Sequence, residues 1–156
     1  GCARRVVREM SGETLESLIP WAEEVREERT GVIEVRVPRE KLRDTVLAVK
    51  RAYGMIQASM ITGTDFGDRF ELAYFIWLHG PKKYVVLKTS CPRDLPEVDT
   101  LVDLMPGIHI YENEVYDLLG VNFRGNDKLV SPFLKPETMR PDEYPLRKDW
   151  GGGSGR

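Results

Sequence analysis

Hydrophobic and polar positions along the chain change their period several times, and each change marks an element. Leu15, Leu18, Ala22 and Val25 share one helical face with acids and arginines opposite, which predicts an amphipathic helix kinked at Pro20, or two short helices, over Thr14 to Arg29, ended by Gly31. Ile33, Val35 and Val37 alternate with Glu34 and Arg36, the pattern of a half-buried strand. Pro38 suits the first turn of a second helix over Arg39 to Tyr53, with Leu42, Val46 and Val49 inward and Gly54 as its stop. A strand over Met55 to Thr62 and a turn over Gly63 to Asp68 follow, then a central strand over Arg69 to Leu78. After the turn at His79 to Lys82, a further strand over Tyr84 to Thr89 ends before Pro92. Neighbouring strands joined by tight turns are antiparallel. The order α-β-α-β-β-β predicts a two-layer α+β domain with a mostly antiparallel, mixed sheet.

The last third differs in character. Ile110, Val115, Leu118 and Leu119, with acids at Glu112, Glu114 and Asp117, predict a short helix capped by Gly120 in the left-handed conformation. Beyond it, prolines at 132, 136, 141 and 145 remove backbone donors and disfavour helix, so residues 121–150 are expected to be extended. This stretch still carries Phe123, Leu129, Phe133, Leu134, Tyr144, Leu146 and Trp150. An extended tail with so many anchors is expected to lie on a partner's surface. The division expected is an α+β domain over 1–120, a partner-binding tail over 121–150 and a flexible Gly/Ser end over 151–156.

Composition narrows the function classes. With 156 residues, 41% hydrophobic and 31% charged, the chain has the make-up of one ordinary globular domain. A net charge of −2 provides no basic footprint for nucleic acid. The longest apolar run, Leu72 to Leu78, is strand-sized, and no signal peptide is recognisable. Cys2 and Cys91 are too few and too far apart for an iron–sulfur or zinc site, and His79 and His109 are isolated. His109 is expected to cap the last helix. Asp65 and Asp68 flank a glycine turn without the spacing of a calcium loop, and Ser90 has no base near it in sequence. No phosphate-binding glycine motif is present. Glu114 and Asp117 share a helical face but have no histidine or nucleophile beside them, so they are expected to favour the helix N-terminus, or to pair with arginines such as Arg124, Arg140 and Arg147, instead of serving acid–base catalysis. Catalytic, cofactor-binding and metal-ligating residues are therefore all expected to be absent.

Glu112-Asn113-Glu114-Val115-Tyr116-Asp117-Leu118-Leu119-Gly120, followed by Phe123, Gly125 and Pro145-Leu146-Arg147-Lys148-Asp149-Trp150, resembles the 30 kDa subunit family of respiratory complex I. Asp68-Arg69-Phe70-Glu71, Leu87-Lys88-Thr89 and Asp103-Leu104-Met105-Pro106 extend the likeness upstream, in the right order. Asn113, Ile110 and Asn126-Asp127-Lys128 depart from the family pattern, and with the short chain they lean towards a membrane-bound [NiFe] hydrogenase or a related archaeal-type complex. The resemblance implies a non-catalytic, cofactor-free structural subunit of a redox-driven ion-pumping complex. It would sit peripherally on the cytoplasmic side of the membrane. Its expected partners are a [NiFe]-hydrogenase-like large subunit of the complex I 49 kDa type and a small iron–sulfur subunit, which would hold iron–sulfur clusters and, in a hydrogenase, NiFe. Glu112, Glu114, Asp117, Gly120, Phe123, Gly125 and Pro145 to Trp150 are the implied interface residues, with Arg147 beside a rigid Pro145-Leu146 and the aromatic Trp150. The alternative within the class is the equivalent 30 kDa-type subunit of an NADH or F420H2:quinone dehydrogenase. Outside it stand a small carboxylate-dependent hydrolase, and an α+β nucleic-acid module that would need exposed aromatics among basic residues on its sheet.

Overall fold

Three ten-residue strands, β3 (Ile56–Asp65), β4 (Arg69–Leu78) and β5 (Lys83–Pro92), form the antiparallel meander that the tight turns between them predict. In this computed structural model, which describes residues 10–151, β4 is the central strand of the three. Cys2 and residues 152–156 of the Gly/Ser end lie outside the described residues. Phe70, Leu72, Tyr74, Ile76 and Leu78 alternate along β4 and are all buried on one face. β3 runs past Thr62 to Asp65, which places the hairpin turn at residues 66–68 instead of starting it at Gly63. β5 likewise continues to Pro92, which pairs with Arg69 at the end of the ladder.

β2 (Ile33–Arg36) lies parallel to β5, and β1 (Glu24–Glu27) closes the sheet antiparallel to β2, giving the order β1-β2-β5-β4-β3. β1 corrects the sequence expectation of a kinked helix or two short helices over Thr14 to Arg29, since only the first part is helical. The first helix, α1 (Gly12–Leu18), begins at Ser11, whose hydroxyl accepts the Thr14 N–H at 3.2 Å, and stops before Pro20. Proline disfavours a helical residue before it, and Ile19 sits at φ −124°, ψ 72°. Val25, released from the helix, pairs with Val35.

Pro38 leads through a 3-10 turn into α2 (Leu42–Tyr53), whose Leu42, Val46 and Val49 are buried as their spacing predicts. A third helix, α3 (His109–Leu119), follows a 3-10 turn at Pro106–Ile108. Two further strands, β6 (Glu97–Asp99) and β7 (Asn122–Arg124), pair in parallel on either side of it in sequence. Buried residues of all three helices share one core cluster with the inward face of the sheet. The outward face carries a separate group in which Met60 stands opposite Phe75, and Trp77 opposite Tyr84. The Trp77 and Tyr84 ring centroids are 4.8 Å apart.

Candidate functional site

α3 packs across β3 at Gly63, where an added Cβ would stand 2.6 Å from the Leu119 side chain. Val115 and Leu119 enter the core there, but Glu112, Asn113 and Asp117 are equally buried. Burying such groups is costly unless their polar atoms are bonded. Glu112 accepts the Thr100 hydroxyl at 2.5 Å, the Leu101 N–H at 2.9 Å and the Asn126 amide at 3.0 Å. Asn113 Oδ1 accepts the Val130 N–H at 2.7 Å. Asp117 accepts the Ser131 hydroxyl at 2.8 Å and the N–H groups of Leu134 and Lys135 at 2.7 and 2.9 Å. Burial works to raise the Asp117 pKa, but the Lys135 N–H, the Ser131 hydroxyl and the Leu134 N–H hold it below the ordinary aspartate value.

These contacts correct the expected acid–arginine pairing. Arg124 bonds Asp99 at 3.1 Å, Arg140 bonds Glu143 at 2.9 Å, and Arg147 turns to backbone. Glu114 is half-buried, and His109 caps nothing, its Nδ1 lying 3.2 Å from the Asn126 amide.

Gly120 ends α3 in the left-handed conformation at φ 82°, and its N–H donates to Tyr116 O at 3.1 Å. Arg147 Nε donates to the Leu119 carbonyl at 2.8 Å, which sets a cation at the negative end of the helix. The guanidinium lies 4.2 Å from the Tyr144 ring centroid and 5.1 Å from that of Phe70. Leu146 N–H donates to Leu118 O at 3.0 Å, and Trp150 N–H returns to Arg147 O at 3.1 Å.

The clasp continues onto the β3–β4 turn through two residues that the sequence pattern did not single out for the interface. Asp65, buried at 3% exposure, accepts the Lys148 N–H at 2.8 Å, the Gly67 N–H at 2.7 Å and Arg93 Nη1 at 2.6 Å. Arg93 also pairs with Asp149 at 3.1 Å. The Arg93 hydrogen bond holds the Asp65 carboxyl well below the aspartate range against the opposing effect of burial. Asp65 ends β3 beside a polar turn, and nothing in its spacing marks a buried acid.

The structure thus brings Gly120 and residues 144–149 together around the end of α3, while Glu112 and Asp117 hold the tail from the helix's inner side. Phe123 is buried on β7, and Gly125 follows β7 at the surface. Pro145 and Trp150 are half-buried, and Leu146, Lys148 and Asp149 are exposed. Along the same tail Val130, Phe133, Leu134 and Leu146 remain 54, 43, 56 and 50% exposed.

Elsewhere, burial pushes the Cys91 thiol up to about 11, which makes it a poor nucleophile at neutral pH. Among the described residues no three or more His, Cys, Asp or Glu side chains gather as metal ligands, and no helix is long and apolar enough to cross a membrane. The outward sheet face does combine aromatics with cations. Each cation there meets a carboxylate: Arg36 with Glu71 at 2.8 Å, Arg26 with Glu34 at 2.6 Å and Lys88 with Glu34 at 3.4 Å.

Residues 35–154 match the family model described as respiratory-chain NADH dehydrogenase, 30 Kd subunit. A subunit of the F(420)H(2) dehydrogenase of Methanosarcina mazei is 28% identical over 152 residues, covering 96% of this chain and 92% of that one. Other curated relatives are longer: the chain spans 22% of an NADH-quinone oxidoreductase subunit of Phocaeicola vulgatus, at 29% identity over 118 residues and 74% of this chain. A chain in the structure of the membrane-bound sulfane sulfur reductase, an archaeal respiratory membrane complex, superposes with a TM-score of 0.75 at 32% identity. That superposition covers 88% of this chain and 82% of that one. The trypsin-resistant fragment of Nqo5 shares the fold, with a TM-score of 0.62 at 24% identity over 72% of this chain and 94% of that one.

Proposed function

The chain belongs to the 30 kDa subunit family of the respiratory-chain NADH dehydrogenase, and from that membership we propose a non-catalytic, cofactor-free subunit of the cytoplasmic peripheral arm of a membrane-bound, redox-driven ion-pumping complex. It docks mainly on a [NiFe]-hydrogenase-like large subunit of the complex I 49 kDa type, with a small iron–sulfur subunit nearby. Those partners hold the iron–sulfur clusters, and NiFe where the complex is a hydrogenase. This chain supports electron transfer by holding the arm together, and it meets the membrane through the complex. The observation that carries this reading is the tail, whose backbone is fixed to its own domain by Asp65, Asp117 and Arg147 while apolar side chains face outward. Exposed apolar side chains on a rigid support suit a subunit interface.

The alternative, the equivalent subunit of an F420H2 or NADH dehydrogenase, is favoured by the near full-length match to the Methanosarcina mazei protein. A carboxylate-dependent hydrolase finds no support, because the Glu112 and Asp117 oxygens are taken up inside the fold. Nucleic acid is disfavoured because the cations on the aromatic sheet face are already paired.

Affinity purification of the tagged chain from native membranes tests the proposal. The large subunit is expected to co-purify in stoichiometric amount, and the chain purified alone is expected to show a flat visible spectrum and substoichiometric metal. One tightly held cluster or nucleotide per isolated chain, or turnover by that chain, would overturn it.

A further inference from the structure

The two edges of the five-stranded sheet differ in how they are protected. β1, at one edge, is four residues long, and Glu24, Arg26 and Glu27 charge three of them. α1 lies beside it, its Gly12 N–H donating to Glu27 at 3.2 Å. β3, at the other edge, runs for ten residues, and from Ile56 to Thr64 it carries neither a charge nor a proline. Among the described residues no hydrogen bond from outside the β3–β4 ladder reaches the main chain of residues 56–64. Such an edge presents a row of unpaired N–H and C=O groups, which natural sheets guard with charge, proline or a short strand. β3 has only a bulge, where the register shifts between Ala58 and Met60, and this divides the edge in two. The first half borders a groove of about 360 Å³ between β3 and the turn at 105–108. Met55, Ala58, Met105 and Tyr111 line it with the Gln57–His79 pair, whose Oε1 and Nε2 are 3.2 Å apart, and no lining residue is Asp, Glu, Lys or Arg. Met55 is 69% exposed there, and a flexible thioether side chain adapts to whatever packs on it.

We infer that the edge of β3 at residues 56–60 receives an extended segment of a partner subunit as a sixth strand of the sheet, with every second side chain of that segment in the groove. The inference rests on the structural-subunit reading above. A row of main-chain donors and acceptors is matched by another extended backbone, and the period of two sends alternate side chains to the groove side. The uncharged lining selects apolar side chains at those positions, because a charge placed there would lose water without gaining a partner. A second copy of this chain is a poor occupant. In an antiparallel pairing of two β3 edges the groove-side residues of the copy are its own Ile56 and Ala58, which are already buried in its core.

The test compares backbone hydrogen–deuterium exchange of β3 in the isolated chain and in the complex purified through the tagged chain. A photoreactive benzophenone side chain at position 57 then identifies the neighbour by mass spectrometry of the crosslinked peptides. The fast-exchanging amides of residues 56–60 are expected to slow at least tenfold in the complex, and the crosslinks to fall on one short stretch of a partner polypeptide. Met55→Lys with Gln57→Lys changes two exposed residues and is expected to abolish that slowing while the isolated chain melts as the wild type does. Glu24→Lys, on the protected edge, is expected to leave the exchange of β3 unchanged. Equal exchange over residues 56–60 in the chain and in the complex overturns the added strand and leaves the subunit reading standing. Crosslinks confined to a second copy of this chain overturn the proposed occupant. Slowing that survives the double variant, or is lost with Glu24→Lys, overturns the assignment to this edge. A wild-type chain that recovers no partner subunit overturns the structural-subunit reading itself.

Discussion

Gly120 and Arg147 depend on one another. Gly120 sits at φ 82°, and a Cβ there would stand 2.5 Å from the Arg147 guanidinium and 2.9 Å from the Tyr144 ring. Gly120→Ala should cost about 1–2 kcal/mol for the left-handed backbone alone, plus the cost of displacing Arg147 from Leu119 O. In an Arg147→Ala background the same substitution should cost less, because one of the two obstructions is gone. Denaturant unfolding of the four chains measures this, and strictly additive costs would refute the coupling. Both residues stood out in the sequence, but only one role was legible there. A glycine after an amphipathic run signals a left-handed cap by itself. The partner of Arg147 is a helix-end carbonyl instead of the expected carboxylate, and every helix end leaves such acceptors, so no residue type flags the chosen one.

Among the elements, the tail and α3 stabilise each other. Ending the chain after Gly120 would remove the buried Val121 and Phe123 and the Ser131, Leu134 and Lys135 donors that hold Asp117. A buried carboxylate without partners costs several kcal/mol, against a usual total of about 5–15 kcal/mol for a domain. That chain should show no cooperative thermal transition and should bind hydrophobic dyes. One ending after Pro136 keeps β7 and the donors to Asp117, and should melt cooperatively at a lower temperature. Cooperative melting of the shorter chain would show that the first 120 residues hold their own core. The meander was legible from the strand-forming residues and the tight turns between them, and α2 from its sustained helical spacing. β1 was misread because Leu15, Leu18, Ala22 and Val25 fit a helical stripe that Pro20 interrupts. β6 and β7 escaped notice because three residues each carry no period.

For the molecule as a whole, the two-layer α+β architecture followed from the order of elements, but the course of the tail did not. Apolar anchors suggested a foreign surface, whereas much of the tail's attachment to its own domain is polar and centres on two buried aspartates. Both are held below the ordinary aspartate value, Asp65 chiefly by Arg93, and Asp117 by tail N–H and hydroxyl donors that outweigh its burial. The folded chain therefore binds fewer protons than the unfolded one near the unfolded aspartate pKa of about 3.9, and stability rises with pH through that range. The contribution is complete above it and is lost as pH falls towards the folded-state values. Melting temperatures taken from neutral pH down to about 2.5 should fall steeply only in the acid part of that range. Asp65→Asn should cost about 3 kcal/mol at neutral pH, the lower end for breaking a buried pair, since Arg93 keeps a quarter of its side chain in water. Because the variant has already lost the titrating carboxylate, its melting curve should converge on that of the wild type as the pH drops. Parallel curves across the whole range would mean that Asp65 carries no share of the acid sensitivity, and coincident curves that the clasp on the β3–β4 turn adds nothing to the stability of the fold.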